Sequence, residues 1–151
     1  MKLNKFLVKA KANTYASSGE GGEKIIEDGS KELSYEEGEF KYRDRYFGFN
    51  PFVGEEIVWK KGKVLWAMNY YGKVISREVP AKRIYEFLKE ALSRVNEEIP
   101  FRGPKEFEKD ELRYENYPSG TIEEFTGFEK IFHKGKEVYR LYYHGGLAKT
   151  K

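Results

Sequence analysis

Few side chains in this sequence could do chemistry, and their types and spacing narrow what that chemistry is. There is no cysteine, so disulfides, thiolate metal sites and cysteine nucleophiles are excluded. The two histidines, His133 and His144, are eleven residues apart, which is not a metal-ligand spacing. His144 could serve as a general base oriented by Glu56 or Glu129, the arrangement of a hydrolase or isomerase. A hydrogen-bonded structural histidine is the simpler role for the same ring. The glycine-rich run Ser17-Ser18-Gly19-Glu20-Gly21-Gly22-Glu23-Lys24 lacks the Lys-Ser/Thr ending of a phosphate loop and reads as a connector. Pro100-Phe101-Arg102-Gly103-Pro104 is a stiff turn presenting one arginine, able to clamp an anion or simply to lie at the surface. No metal and no cofactor is expected from this inventory.

The elements that must position these residues follow from an internal similarity. The segment from Phe52 through Gly54, Glu56, Val58 and Lys61-Gly62 recurs 73 residues later as Phe125, Gly127, Glu129, Ile131 and Lys134-Gly135. The same offset continues through Trp66/Tyr139, Met68/Leu141 and Tyr70/Tyr143. Upstream, Phe40-Lys41-Tyr42 matches Leu112-Arg113-Tyr114, and Phe6-Leu7 with Ala10 matches Phe87-Leu88 with Ala91. An ordered set of matches of this kind indicates repeats. The expectation is one domain over 1–151, with repeats at about 3–79 and 80–148. Each repeat reads as a helix followed by three strands, at 39–46, 54–60 and 63–71 and then at 111–116, 123–133 and 136–144. Leu3, Phe6, Leu7 and Ala10 mark the first helix; Ile84, Phe87, Leu88, Ala91 and Leu92, after Pro80, mark the second. The fold class expected is α+β: a six-stranded, mainly antiparallel sheet, open or curved towards a barrel, with both helices on one face.

Lys61-Gly62 and Lys134-Gly135 read as two-residue hairpin turns. Counting outward from them sets Glu56 opposite Ala67 and Glu129 opposite Arg140 as a cross-strand ion pair. On that register one sheet face carries Trp66, Met68 and Tyr70 and their counterparts towards the helices. The other carries Glu56, Asn69, Tyr71, Glu129, Arg140, Tyr142 and His144. Two readings of that polar face stand side by side: a solvated outer surface, or a cleft between the repeats that binds a small polar or aromatic ligand, with Arg102 as a further contact.

Composition bounds the alternatives. Lys and Arg number 28 against 25 Asp and Glu, for a net charge of +3, with no basic block of the kind a nucleic-acid binder concentrates, so nucleic acid is not the expected partner. Charged residues make up 35% of the chain, and no apolar run reaches membrane-spanning length. The N-terminus carries no export-signal pattern; a cytoplasmic location is expected. The 12 Tyr, 11 Phe and 2 Trp point to a ring-built β core and leave an exposed aromatic patch, and hence a homodimer, as a further reading. Many charges of both signs also resemble thermophile usage.

Ala12-Asn13-Thr14-Tyr15-Ala16, Phe40-Lys41-Tyr42, Met68-Asn69-Tyr70-Tyr71-Gly72, Phe101-Arg102-Gly103-Pro104 and Tyr143-His144-Gly145-Gly146 resemble a prokaryotic family of unknown function, found alone and also behind helix-turn-helix regulator domains. The resemblance brings no assigned activity and no catalytic residues. What it implies is a domain that senses an effector or mediates dimerisation.

Overall fold

The structure is a computed structural model that describes residues 1–14 and 23–151; most of the glycine-rich run at 17–24 lies outside the described residues. Helix α1 (Leu3–Asn13) buries Phe6, Leu7 and Ala10, the stripe expected from their spacing. Strands β1 (Lys24–Ile25), β2 (Lys31–Glu37), β3 (Phe40–Gly48), β4 (Phe52–Lys60) and β5 (Lys63–Val74) follow. Helix α2 (Ala81–Leu92) begins after Pro80, whose extended backbone sits at the N-cap. Then come β6 (Glu106–Lys109), β7 (Leu112–Thr121), β8 (Glu124–His133) and β9 (Lys136–Leu147).

All nine strands among the described residues join one antiparallel sheet in the order β1-β2-β3-β4-β5-β9-β8-β7-β6. The sheet is open, with β1 and β6 as its edges. This corrects the expected six-stranded sheet of two helix-plus-three-strand units. The three additional strands, β1, β2 and β6, lie outside the six segments expected as strands. They are short or charge-rich: Leu33 is the one buried residue of β2, and β6 has none. At or next to the edge of the sheet few neighbours cover a strand's side chains, so these segments show little apolar alternation. Both helices do pack on a single face. Phe6 stacks on Phe40 at 4.8 Å and Phe87 on Phe107 at 5.4 Å, while Tyr85 meets Phe52 edge-on at 5.7 Å.

The two Lys-Gly turns form as expected, with positive φ at both positions of each: Lys61 and Gly62, Lys134 and Gly135. Beyond each turn the register slips. Trp59 pairs with Val64 but Val58 pairs with Trp66; Phe132 pairs with Glu137 but Ile131 pairs with Tyr139. One extra residue in β5 and β9, Leu65 and Val138, makes a bulge, and a one-residue slip turns a strand's side chains to the other face. Glu56 therefore lies opposite Met68, not Ala67, and Glu129 opposite Leu141, not Arg140. Both glutamates point towards the helices.

On the helix side, Tyr70 and Tyr143 pair across the β5–β9 junction, and each lies opposite a glycine on its other neighbour, Gly54 and Gly127. A Cβ at either glycine would overlap the tyrosine ring covering it. Tyr143 is buried and its hydroxyl is tied to Asn116, so the ring has no room to retreat. Gly127→Ala is expected to cost about 1–3 kcal/mol of stability, read from a shifted urea midpoint; an unchanged midpoint would show that the ring moves freely.

Candidate functional site

The bulges create a polar layer between the sheet and its helices. Strands supply Asp44, Glu56, Asn116 and Glu129; α1 supplies Lys11; the segment after α2 supplies Arg102. All six are buried. Lys11 Nζ donates to Glu56 Oε1 at 2.5 Å and to the Phe101 carbonyl at 2.7 Å, joining helix, sheet and the 93–105 segment. Tyr42 donates to the same Glu56 oxygen at 2.8 Å. In the other half, Arg102 grips Glu129 through Nε and Nη2 at 3.1 and 2.9 Å. Tyr114 and Tyr139 each donate to Glu129 at 2.8 Å. Arg102 is held in place by its neighbour: the Gly103 N–H donates to the Tyr114 hydroxyl at 3.0 Å, and Asn116 Nδ2 donates to the Gly103 carbonyl at 3.0 Å.

Glu56 and Glu129 are thus matched, each with a cation and a strand tyrosine. The neighbouring pair is not matched. Tyr70 donates to Asp44 Oδ1 at 2.6 Å, whereas Tyr143 donates to Asn116 Oδ1 at 2.8 Å. The layer accordingly holds three carboxyl groups and two cations, Lys11 and Arg102. Asp44 sits directly across from Glu56 on the adjacent strand. Burial, and then the Glu56 charge, push its carboxyl up to about 7 against the opposing pull of Tyr70, Lys11 and Arg102. Burial likewise lowers Lys11 and raises the Tyr42, Tyr70 and Tyr114 phenols, keeping those hydroxyls as donors.

One cleft opens onto this layer. It has a volume of about 210 Å³ and is walled by Tyr46, Phe49, Phe52, Tyr70 and Tyr85. Gly48, Lys31, Lys89, Glu23 and Arg102 complete its lining. Tyr85 is fixed by its hydroxyl on the Phe49 carbonyl at 2.7 Å and by edge-on contacts with Phe49 and Phe52. Arg102 lies over the Tyr70 ring at 5.3 Å, so the two residues that touch the cleft also touch Glu129 and Asp44. A larger depression of about 690 Å³ lies at the other end of the sheet, among exposed charged side chains such as Glu108, Lys109 and Lys134. It touches none of the charged groups of the polar layer.

The residues singled out from sequence divide between the two faces. Glu56, Arg102 and Glu129 come together in the polar layer. Asn69 pairs with His144 and Tyr71 with Tyr142 on the opposite, outer face, and all four are exposed. Arg140 is also outside, paired with Glu137. One pocket holding all eight is therefore not formed, and His144 has the sheet between it and either glutamate. His133 is buried at the end of β8, 3.7 Å from Glu78 and 3.8 Å from Glu111. Among the described residues no cluster of three or more His, Asp or Glu is arranged to hold a metal, and no helix is long and apolar enough to cross a membrane. Sequence reading passed over Lys11, Asp44 and the cleft aromatics. Lys11 carried a signal, since it falls four residues after Leu7 on the apolar stripe of α1.

A family model described as a domain of unknown function (DUF5680) matches residues 44–148. The chain belongs to the DUF5680 family. The DUF5680 match takes in Asp44, Glu56, Arg102, Glu129 and the five cleft aromatics, while Lys11, Glu23 and Lys31 precede it. No curated protein and no solved structure matches the chain.

The unbalanced acid makes a prediction. The folded protein keeps a proton on Asp44 up to about pH 7, while an unfolded chain releases it near pH 4. Stability from this group is complete below about pH 4 and is lost as pH rises through 7. Asp44→Asn, which copies Asn116, is expected to remove that loss. Denaturation between pH 4 and 8 should show the parent losing on the order of 3 kcal/mol relative to the variant; parallel pH profiles would contradict the assignment.

Proposed function

We propose that this DUF5680 chain is a small-molecule-binding domain, and that its site is the aromatic cleft between α2 and strands β3–β5. The ligand that fits is a single ring bearing an acidic group. The observation that carries this reading is the make-up of the cleft: five aromatic side chains around about 210 Å³, with cationic side chains at its margin. A cavity of roughly 150 Å³ accepts benzene, so this volume suits one substituted ring rather than a nucleotide. Edge and face contacts from Tyr46, Phe52, Tyr70 and Tyr85 favour an aromatic body. The Lys89 ammonium has no ion-pair or hydrogen-bond partner among the described residues, whereas Lys31 lies 4.0 Å from Glu23 and Arg102 is bound to Glu129. Lys89 is then the group to meet the ligand's acid, as a charge-assisted hydrogen bond.

The resemblance to domains found behind helix-turn-helix regulators makes an effector role the natural one. Tyr70 and Arg102 would carry the effect of occupancy into the polar layer, and through Lys11 and the Phe101 carbonyl to α1. The outer-face set of Asn69, Tyr71, Tyr142 and His144 is not part of this site.

Thermal-shift and calorimetric titrations with benzoate, phenylacetate and 4-hydroxybenzoate, against benzyl alcohol as the neutral control, test the proposal. A ring acid at 100 times its Kd should add about 2.7 kcal/mol of stability. Lys89→Gln should weaken it about tenfold, and Tyr85→Leu by a similar amount. Ring acids that produce no shift at millimolar concentration, or that bind both variants as well as the parent, would rule the cleft out.

A further inference from the structure

Helices cover one face of the nine-stranded sheet, and the other face carries an unbroken apolar row. Phe47, Val53, Tyr71, Tyr142, Phe128 and Tyr117 are successive cross-strand partners on β3, β4, β5, β9, β8 and β7. Five of them are between 41% and 54% exposed, and Phe128 is half-buried, stacked on Tyr117 at 4.7 Å and tilted against Tyr142 at 6.3 Å. Six strands spaced at about 4.8 Å make a row roughly 24 Å long, too long for a metabolite to cover. We propose that this outer face is the contact surface between two copies of the chain.

Three observations select a second copy. The β5–β9 junction divides the row three and three. A two-fold axis along that junction, between two facing sheets, sets Tyr71 against Tyr142 of the second copy, Val53 against Phe128 and Phe47 against Tyr117, so every apolar side chain meets another. Ion pairs within the chain balance the charges on this face, five cations against five carboxylates: Arg43 and Arg45 with Glu32, Lys130 and Arg140 with Glu137, and Arg113 with Glu106, Glu108 and Glu115. Two such faces meet without net repulsion, and a polyanion finds these cations occupied. The area also fits. With rings of roughly 150–250 Å² each, the row exposes about 400–500 Å² of apolar surface, the central part of the roughly 800 Å² per partner that a stable dimer buries.

Sedimentation equilibrium of the full chain between 5 and 200 μM is the test. A dimer is expected for the parent, and a monomer for Tyr71→Glu combined with Tyr142→Glu. Val53→Lys with Tyr117→Lys, at the ends of the row, should also dissociate it, so that misfolding of one variant does not decide the matter; circular dichroism and the melting curve verify that each is folded. A parent that is monomeric at 200 μM, or a dimer that persists in folded variants of both kinds, overturns the proposal. Binding of a mixed-sequence single-stranded 12-mer that both variant pairs abolish, by a monomeric parent, would overturn it in favour of a nucleic-acid face.

Discussion

Two carboxylates turned inward on a sheet impose the constraint on which this structure depends. Glu56 and Glu129 are buried, and a charge removed from water is tolerated only with a close counter-charge and filled hydrogen bonds. Neither cation comes from the sheet. Lys11 arrives on α1 and Arg102 on the segment after α2, so helices and sheet are fastened by the same contacts that neutralise the acids. The surrounding tyrosines fill the remaining acceptor positions. Stability and geometry are therefore linked at one layer: α1 cannot shift without uncovering Glu56, nor the 93–105 segment without uncovering Glu129.

The layer is paired but not symmetric, and the asymmetry lies beside the cleft. Where one half has Asn116 beneath Tyr143, the other has Asp44 beneath Tyr70. An amide at that place would satisfy the tyrosine equally well and bring no charge. The acid introduces a titrating group next to an aromatic wall, with Arg102 above the same ring. A buried acid poised near neutrality beside a cleft is a recurrent mark of a functional site.

Much of this was legible in the sequence, up to a definite point. The helix stripes, the antiparallel hairpins, both Lys-Gly turns and the helix-facing Trp66, Met68 and Tyr70 all follow from spacing. The strands at and next to the sheet edges did not: β2 and β6 bury too little to display a period. The decisive loss was two bulges. A slip at Leu65 and another at Val138 exchanged the faces of β4 and β8 relative to their partners. With them went Glu56 and Glu129, placed by simple counting beside Asn69 and His144. Nothing in residue types marks a bulge next to a tight turn, yet a buried-face reading of β3 was open, since Phe40, Tyr42 and Asp44 alternate inward. Asp44 lies on that alternation as an acid in an apolar series.

The most direct test of the central claim is a double-mutant cycle on Arg102 and Glu129, using Arg102→Met, Glu129→Gln and the combination, read by denaturant unfolding at pH 7. If buried charge pairing fastens the segment to the sheet, each single change should cost several kcal/mol, and the pair should couple by about 2–3 kcal/mol. A coupling near zero, with the two single costs simply adding, would contradict it.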